Sequence, residues 1–307
     1  MPHPPLYLVT PYKGVDIDKR ERRHRTPKQN RQTMKLNEIL SPSIRQVLKP
    51  RKQQTPLWQQ RQSCDSDFCR AVVANGYMTR EQMQEAAQRY RLGCSRGGGV
   101  IFWQIDTLEQ TCDGKIMYYR PDCHRDHQRH PQWVSNLLKR QFLGRFPEMA
   151  PWMPETHHCL FGTHLLATHP HPLPVWRGVV SPHAEYSIDS PPSQGGARGG
   201  SPIAVVEAEK TAVIMSAHYP QYLWLAAGGL TELTAQKLFP LRHHRIVLFP
   251  DTDTDQTAYK RWYTIAQEAR RLYDLDIHVS SLLERRATAA QKQAKIDLVD
   301  YCLTAKR

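Results

Sequence analysis

Two acidic positions stand where apolar runs end. Glu207 directly follows Ile203-Ala204-Val205-Val206, and Asp251-Thr252-Asp253-Thr254-Asp255 follows Arg245-Ile246-Val247-Leu248-Phe249 with only Pro250 between. Runs this short and this uniformly apolar read as parallel strands buried on both faces. In open parallel sheets, ligands gather beyond the carboxyl ends of the strands. Carboxylates brought together there repel one another until a hard cation neutralises them. Mg²⁺ is the expected ion, with Mn²⁺ as a substitute, because it takes few protein ligands and shares its shell with phosphate oxygens. The carboxylates expected around that ion are Glu207, Asp251, Asp253 and Asp255. Lys210, in the first turn of the next helix, is expected to reach a phosphate at that helix end. Gly228 and Gly229 form a tight turn where nucleic-acid phosphate can approach the backbone. Glu209 beside Lys210 needs no role beyond complementing the helix dipole.

The elements that must position these residues alternate cleanly. Strands over 203–206, 222–226, 245–249 and 277–279 are separated by helices over 208–217, 231–238 and 257–273, which predicts a four-stranded parallel sheet with right-handed crossovers and flanking helices. Upstream, Asp67 to Val73 reads as a short helix stopped at Asn75-Gly76. Thr79 with Gln82 forms a capping box for a second helix, with Met83, Ala86, Ala87 and Tyr90 on its apolar face and Gly93 as its end. Val100–Ile105 and Lys115–Tyr119 read as an antiparallel hairpin joined by a loop containing Asp113-Gly114, followed by a helix from Trp133 to Phe142. The fold class is therefore α/β, with a smaller α+β domain before the parallel sheet.

Residues 190–200 are Pro, Gly, Ser and little else, too poor in apolar side chains to build a core. The chain divides into a basic, largely disordered arm at 1–62, an α+β domain at 63–169, a linker or insertion at 170–201 and the α/β domain at 202–307. Within the arm, Leu36, Ile39, Leu40, Ile44, Val47 and Leu48 suggest one amphipathic helix, broken at Ser41-Pro42. The arm holds 14 Lys and Arg against Asp16, Asp18, Glu21 and Glu38, so it carries ten of the thirteen net positive charges. A basic arm on a nearly balanced body points to a polyanion, either DNA or RNA. A solvated tail without a partner is the alternative. No run of about 18 apolar residues exists, so no membrane span is expected. The seven scattered Cys suit reduced thiols in a cytoplasm. Cys123, His124, His127, His130 and His157-His158-Cys159 lack the paired spacing of a zinc ribbon or finger, so zinc is not expected. Phe102 and Trp103 have the chemistry to stack on bases, but at least one of the two belongs in the core.

Val205-Val206-Glu207, then helix, strand, Gly228-Gly229, helix, and a strand ending in Asp251-x-Asp253, is similar to the Toprim domain of primases, topoisomerases and some nucleases. That resemblance implies a Glu207 acid/base and a Mg²⁺ site at Asp251 and Asp253, with Asp255 in place of a third aspartate. The chain has Ala208 and Gln256 where glycine is usual in the family. The stretches Val100–Asp106, Gly114–Met117, Cys159–Gly162, Glu207–Ala212 and Leu225–Leu230 resemble primase-like Toprim proteins of bacterial mobile elements. Members of that group often begin with a zinc ribbon, which the first 62 residues lack. The resemblance implies a Mg²⁺-dependent nucleotidyltransferase that makes primers from nucleotide triphosphates, with a helicase or mobilisation partner. Phosphodiester hydrolysis by a Toprim-type nuclease is the second expectation. The third is a nucleic-acid-binding module without turnover, in which Asp253 or Asp255 caps the helix from Thr257.

Overall fold

Ser66 and Thr79 start the first two helices as their types demand. Ser66 accepts the Cys69 N–H to open α1 (Asp67–Ala74), and Thr79 forms a reciprocal capping box with Gln82 to open α2 (Arg80–Arg89). The computed structural model describes residues 59, 61–153, 155–168 and 201–303. The arm up to residue 58, with its 36–48 pattern, and residues 170–200 of the linker lie outside them. Both sheets and the helices that cover them belong to one compact unit, Leu57–Glu148 with Thr156–Arg307, and Met149–Glu155 belongs to a separate unit.

After α2 come β1 (Gly93–Cys94), β2 (Val100–Ile105), β3 (Thr111–Met117) and β4 (Gln132–Trp133), which form one antiparallel sheet in the order β1-β2-β3-β4. Two boundaries differ from expectation. The second helix closes at Tyr90, with Arg91 at φ 54°, and Gly93 instead begins β1, paired with Ile101. The hairpin turns at residues 106–110, where Asp106 Oδ1 accepts the Leu108 and Gln110 N–H groups at 2.8 and 2.9 Å. Asp113 and Gly114 lie within β3, opposite Gln104 and Trp103. The Trp103 ring fills the space beside Gly114 so completely that a Cβ there would sit 2.6 Å from it. The glycine serves close packing rather than a turn.

The chain continues through α3 (Val134–Leu143) and α4 (Leu165–Thr168) to β5 (Ile203–Val206), α5 (Glu209–His218), β6 (Leu223–Ala226), α6 (Ala235–Leu238), β7 (Ile246–Phe249), α7 (Thr257–Tyr273) and β8 (Ile277–Val279). These strands form a second, all-parallel sheet in the order β6-β5-β7-β8. Every residue of β5, β6 and β7 is buried, as a sheet covered on both faces requires. The helix expected over 231–238 is confined to α6, because Thr234 caps it by accepting the Lys237 N–H at 3.3 Å. α7 buries a stripe of Ala258, Trp262, Ala266 and Ala269. Three short helices, α8 (Leu282–Arg286), α9 (Ala289–Gln293) and α10 (Leu298–Leu303), close the described chain.

One buried cluster runs through both sheets, from Phe68, Tyr90 and Phe102 to β5, Trp224 and Trp262. Phe102 belongs to it, whereas Trp103 faces a smaller cluster with Ile101, Ile105 and Ile116. Both rings are about 1% exposed, so neither presents a stacking face. Tyr90 donates its hydroxyl to the Trp224 carbonyl at 2.9 Å, and Phe161 pairs antiparallel with Ala226 at the outer edge of β6. Among the described residues no helix is long and apolar enough to cross a membrane.

Candidate functional site

The sheet order itself selects a position. The chain passes from β5 outward to β6, then returns across β5 to β7, so its direction of winding reverses between β5 and β7. A crevice opens beyond the carboxyl ends of the two strands at such a reversal. Glu207 follows β5 there and Asp251 follows β7, and the Asp251 N–H donates to Glu207 Oε1 at 3.3 Å. Glu207 is 8% exposed. Burial, together with the Asp253 and Asp297 charges and against the Asp251 N–H bond, pushes its carboxyl up to about 7. The Asp251 carboxyl is pushed well above its ordinary range, by burial first and then by Glu207, Asp297 and Asp300, with Lys210 opposing. Two neighbouring carboxyls that both resist ionisation lack a nearby positive charge of sufficient strength.

Asp253 has a different occupation. Its Oδ1 accepts the Asp255 and Thr257 N–H groups at 2.9 and 3.0 Å, and its Oδ2 accepts the Ala258 N–H at 3.0 Å. Burial acts to raise its carboxyl, but these three bonds outweigh it and hold the group below its ordinary range. Gln256, which formally precedes α7, makes no side-chain cap and sits at φ 57°, so Asp253 closes the helix end in its place. Asp255 is exposed, and it contributes its backbone: the N–H to Asp253 and the carbonyl that accepts Lys260 Nζ at 2.9 Å.

Lys210, expected at a phosphate, is paired within the chain. Its ammonium lies 3.3 Å from Asp297 Oδ2, and Asp297 also accepts the Thr211 hydroxyl at 2.7 Å and the Asp300 N–H at 2.9 Å. Burial acts to lower the Lys210 pKa, but Asp297 and Asp300 more than reverse this and hold it raised. Burial raises Asp297, yet Lys210 and these bonds keep its carboxyl low, whereas Asp300 is raised by burial and by Asp297. Glu209, for which the sequence asked no role beyond the helix dipole, is 2% exposed. Its Oε1 lies 3.2 Å from Lys115 Nζ, which also donates to the Gly228 carbonyl at 2.5 Å. The Gly228 N–H donates to the Glu207 carbonyl at 2.9 Å, and Gly228 and Gly229 have φ of 95° and 149°. The glycine turn is therefore fastened between β3 and the strand end that carries Glu207.

Lys115, Asp297 and Asp300 carry no motif and come from β3 and from the chain beyond β8, so nothing in local spacing points to them. Lys115 does lie within Gly114–Met117, one of the stretches that carry the family resemblance. Among the described residues, no three His, Cys, Asp or Glu side chains converge as a ready metal-ligand set. Cys123 is buried and its thiol is pushed up to about 11, by burial first, whereas His124, His127 and His130 are exposed. Glu207 and Asp251 do have the chemistry of a Mg²⁺ site: hard oxygens, neighbouring strand ends and uncompensated repulsion. Asp253 offers at most the lone pair that its cap leaves on Oδ2.

Fold and site together define an α/β protein with a carboxylate pair at the point where its parallel sheet reverses direction. The family described as a domain of unknown function (DUF6371) matches residues 66–176 and 197–252, more than half of the chain, and the chain belongs to it. The matched region contains Lys115, Glu207 and Asp251, and stops at Thr252. No curated protein matches the chain. Among solved structures, it is similar to the primase fragment of the bacteriophage T7 primase-helicase protein, with 14% identity over 81% of this chain and 79% of that chain and a TM-score of 0.40.

Proposed function

We propose that the chain is a Mg²⁺-dependent protein of nucleic-acid phosphoryl transfer, of primase-like type, with Glu207 and Asp251 as its metal-holding pair. The observation that carries the reading is the meeting of Glu207 and Asp251 at the β5 and β7 ends, where the Asp251 N–H reaches Glu207 Oε1 and both carboxyls are pushed above their ordinary range. Bound Mg²⁺ would supply the missing positive charge and polarise a phosphoryl oxygen. Without metal the Glu207 carboxyl is pushed up to about 7, and bound Mg²⁺ would draw it back to the ionised form that holds a cation. Lys115 and the Gly228 turn hold the wall of the crevice in place. Asp253 orients α7 through its cap and so sets the loop that carries Asp251. DNA or RNA and nucleotide triphosphates are the substrates this reading requires, with a helicase or mobilisation protein as a working partner.

A second reading, a nucleic-acid-binding module without turnover, is favoured by one observation: Asp253 and Lys210 are engaged in structural bonds. One assay separates the readings. The full chain is incubated with single-stranded DNA and labelled nucleotide triphosphates, with and without Mg²⁺ or Mn²⁺. Labelled oligonucleotides that need both the metal and Glu207 support primer synthesis, and a shortened template without incorporation supports hydrolysis. Retention of the template in a mobility shift, with neither product, supports the binding module.

A further inference from the structure

The loop that presents Asp251 is held by the chain beyond β8. Thr252 stands between Asp251 and the helix-capping Asp253 and is 1% exposed. Its hydroxyl donates to Glu284 Oε1 at 2.9 Å, and its N–H donates to the Ile296 carbonyl at 3.3 Å. The Asp251 N–H rests on Glu207, and the Asp253 carboxylate on the start of α7. Each of residues 251–253 is thus fixed by at least one hydrogen bond, and Thr252 supplies the one side-chain bond that reaches the C-terminal helices.

Glu284 is itself placed by local chemistry. It lies in α8, and the next helix, α9, opens on a reciprocal capping box. Gln291 Oε1 accepts the Thr288 N–H at 2.9 Å, and Thr288 Oγ1 accepts the Gln291 N–H at 3.3 Å. That start puts Lys292 in the last turn of α9. Its ammonium donates to the Glu284 carbonyl at 2.7 Å and lies 3.5 Å from Glu284 Oε2. The Glu284 side chain is 7% exposed. Burying a carboxylate this far costs free energy unless it is paired and bonded. Here one oxygen faces the Lys292 cation and the other accepts Thr252. Past Lys295, at φ 53°, the chain turns to bring the Ile296 carbonyl to Thr252 and Asp297 to Lys210. The family match ends at Thr252, so Glu284 lies outside it.

We propose that Glu284 is a positioning residue for the metal-holding pair: through the Thr252 hydroxyl it fixes the loop so that Asp251 meets Glu207. This rests on the reading of Glu207 and Asp251 as the pair that holds Mg²⁺. Metal ligands work within about 0.2 Å of their ideal distances, so a loop free to drift loses affinity even where its carboxylate is retained. Groups that support a metal ligand without touching the ion typically contribute about ten- to a hundredfold in affinity. Glu284 has no contact with the cation in this scheme, and acts only through Thr252.

The test measures Mn²⁺ binding by the full chain at pH 8, read from the loss of the free-ion signal in electron paramagnetic resonance. Asp251→Asn is measured alongside, to mark the binding that belongs to the site. Thr252→Val keeps the shape and removes the donor, and should weaken Mn²⁺ binding about tenfold. Thr252→Ser keeps the hydroxyl and should stay within about threefold of wild type. Thr252→Val also leaves Glu284 Oε1 buried without its donor, so urea unfolding should show a loss of stability. Thr252→Val/Glu284→Leu removes both partners, so most of the stability should return while Mn²⁺ binding stays about tenfold weaker than wild type. A merely structural contact would not separate the two readouts. Thr252→Val binding Mn²⁺ as tightly as wild type would overturn the proposal, as would recovery of affinity together with stability in the double variant. A wild type that binds Mn²⁺ no better than Asp251→Asn would overturn the metal-pair reading itself, and this proposal with it.

Discussion

Replacing Glu207 by Gln removes a charge from a site that resists it, and the size of the effect follows from the carboxyl's position. In the folded, metal-free protein Glu207 ionises near 7 rather than near 4.5. A tenfold change in proton affinity is worth about 1.4 kcal/mol, so the difference amounts to about 3 kcal/mol. The folded-state value is the higher one. The stabilising contribution is therefore fully present below about pH 4.5 and is lost as pH rises through about 7. Glutamine keeps an oxygen to accept the Asp251 N–H and has no charge to expel. At pH 8 without metal, Glu207→Gln should be more stable than wild type by about 3 kcal/mol, which in a domain of this size is roughly 6–12 °C. At pH 4.5 the two should coincide. Mg²⁺ should raise the wild-type midpoint at pH 8 and leave that of the variant nearly unchanged. The assay is thermal unfolding followed by circular dichroism across pH 4.5–8, with and without Mg²⁺. A variant less stable than wild type at pH 8 in metal-free buffer would refute the reasoning, because it would mean that the ionised carboxylate is already satisfied within the chain.

Asp253→Ala should lower stability by about 1–2 kcal/mol in urea unfolding at every pH from 5 to 8, because three N–H groups at the start of α7 lose their acceptor. Lys115→Met should cost about 3–5 kcal/mol by leaving Glu209 buried and unpaired. The double variant Lys115→Met/Glu209→Leu should recover most of that loss, measured as a coupling energy in a double-mutant cycle. A chain beginning at Pro202 lacks Tyr90, Lys115 and Phe161, which support Trp224, Glu209 and Ala226. It should unfold over a broad, weakly cooperative transition in calorimetry, where the full chain gives a sharp one.

The parallel sheet is legible because three of its strands are short and wholly apolar and all four alternate with helices, and the capping box at Thr79 is legible because it is a reciprocal bond between fixed positions. The hairpin turn is not. Asp113-Gly114 has the residue types of a turn, and only the ring of Trp103 opposite reveals why a strand needs that glycine. Asp106, the residue that does close the turn, acts through two backbone bonds that its type alone does not announce. In the site, Glu207 and Asp251 are placed by strand ends and could be read directly. Asp253 has two occupations open to a carboxylate, cap or ligand, and one sequence does not choose between them. Lys115, Asp297 and Asp300 reach the region from distant segments, through pairings that only tertiary structure brings about.

The antiparallel bridge between Phe161 and Ala226 has a consequence for solubility. An edge strand with open N–H and C=O groups invites another chain to add to it. Phe161 plugs the β6 side by exchanging two backbone bonds with Ala226, at 2.9 and 3.1 Å. At the opposite side β8 is only three residues long, and Arg270 Nε covers its Ile277 carbonyl at 3.0 Å. The antiparallel sheet ends on strands of two residues each. No border among the described strands is thus both long and bare, and loss of the segment carrying Phe161 would open the β6 edge to pairing by another chain.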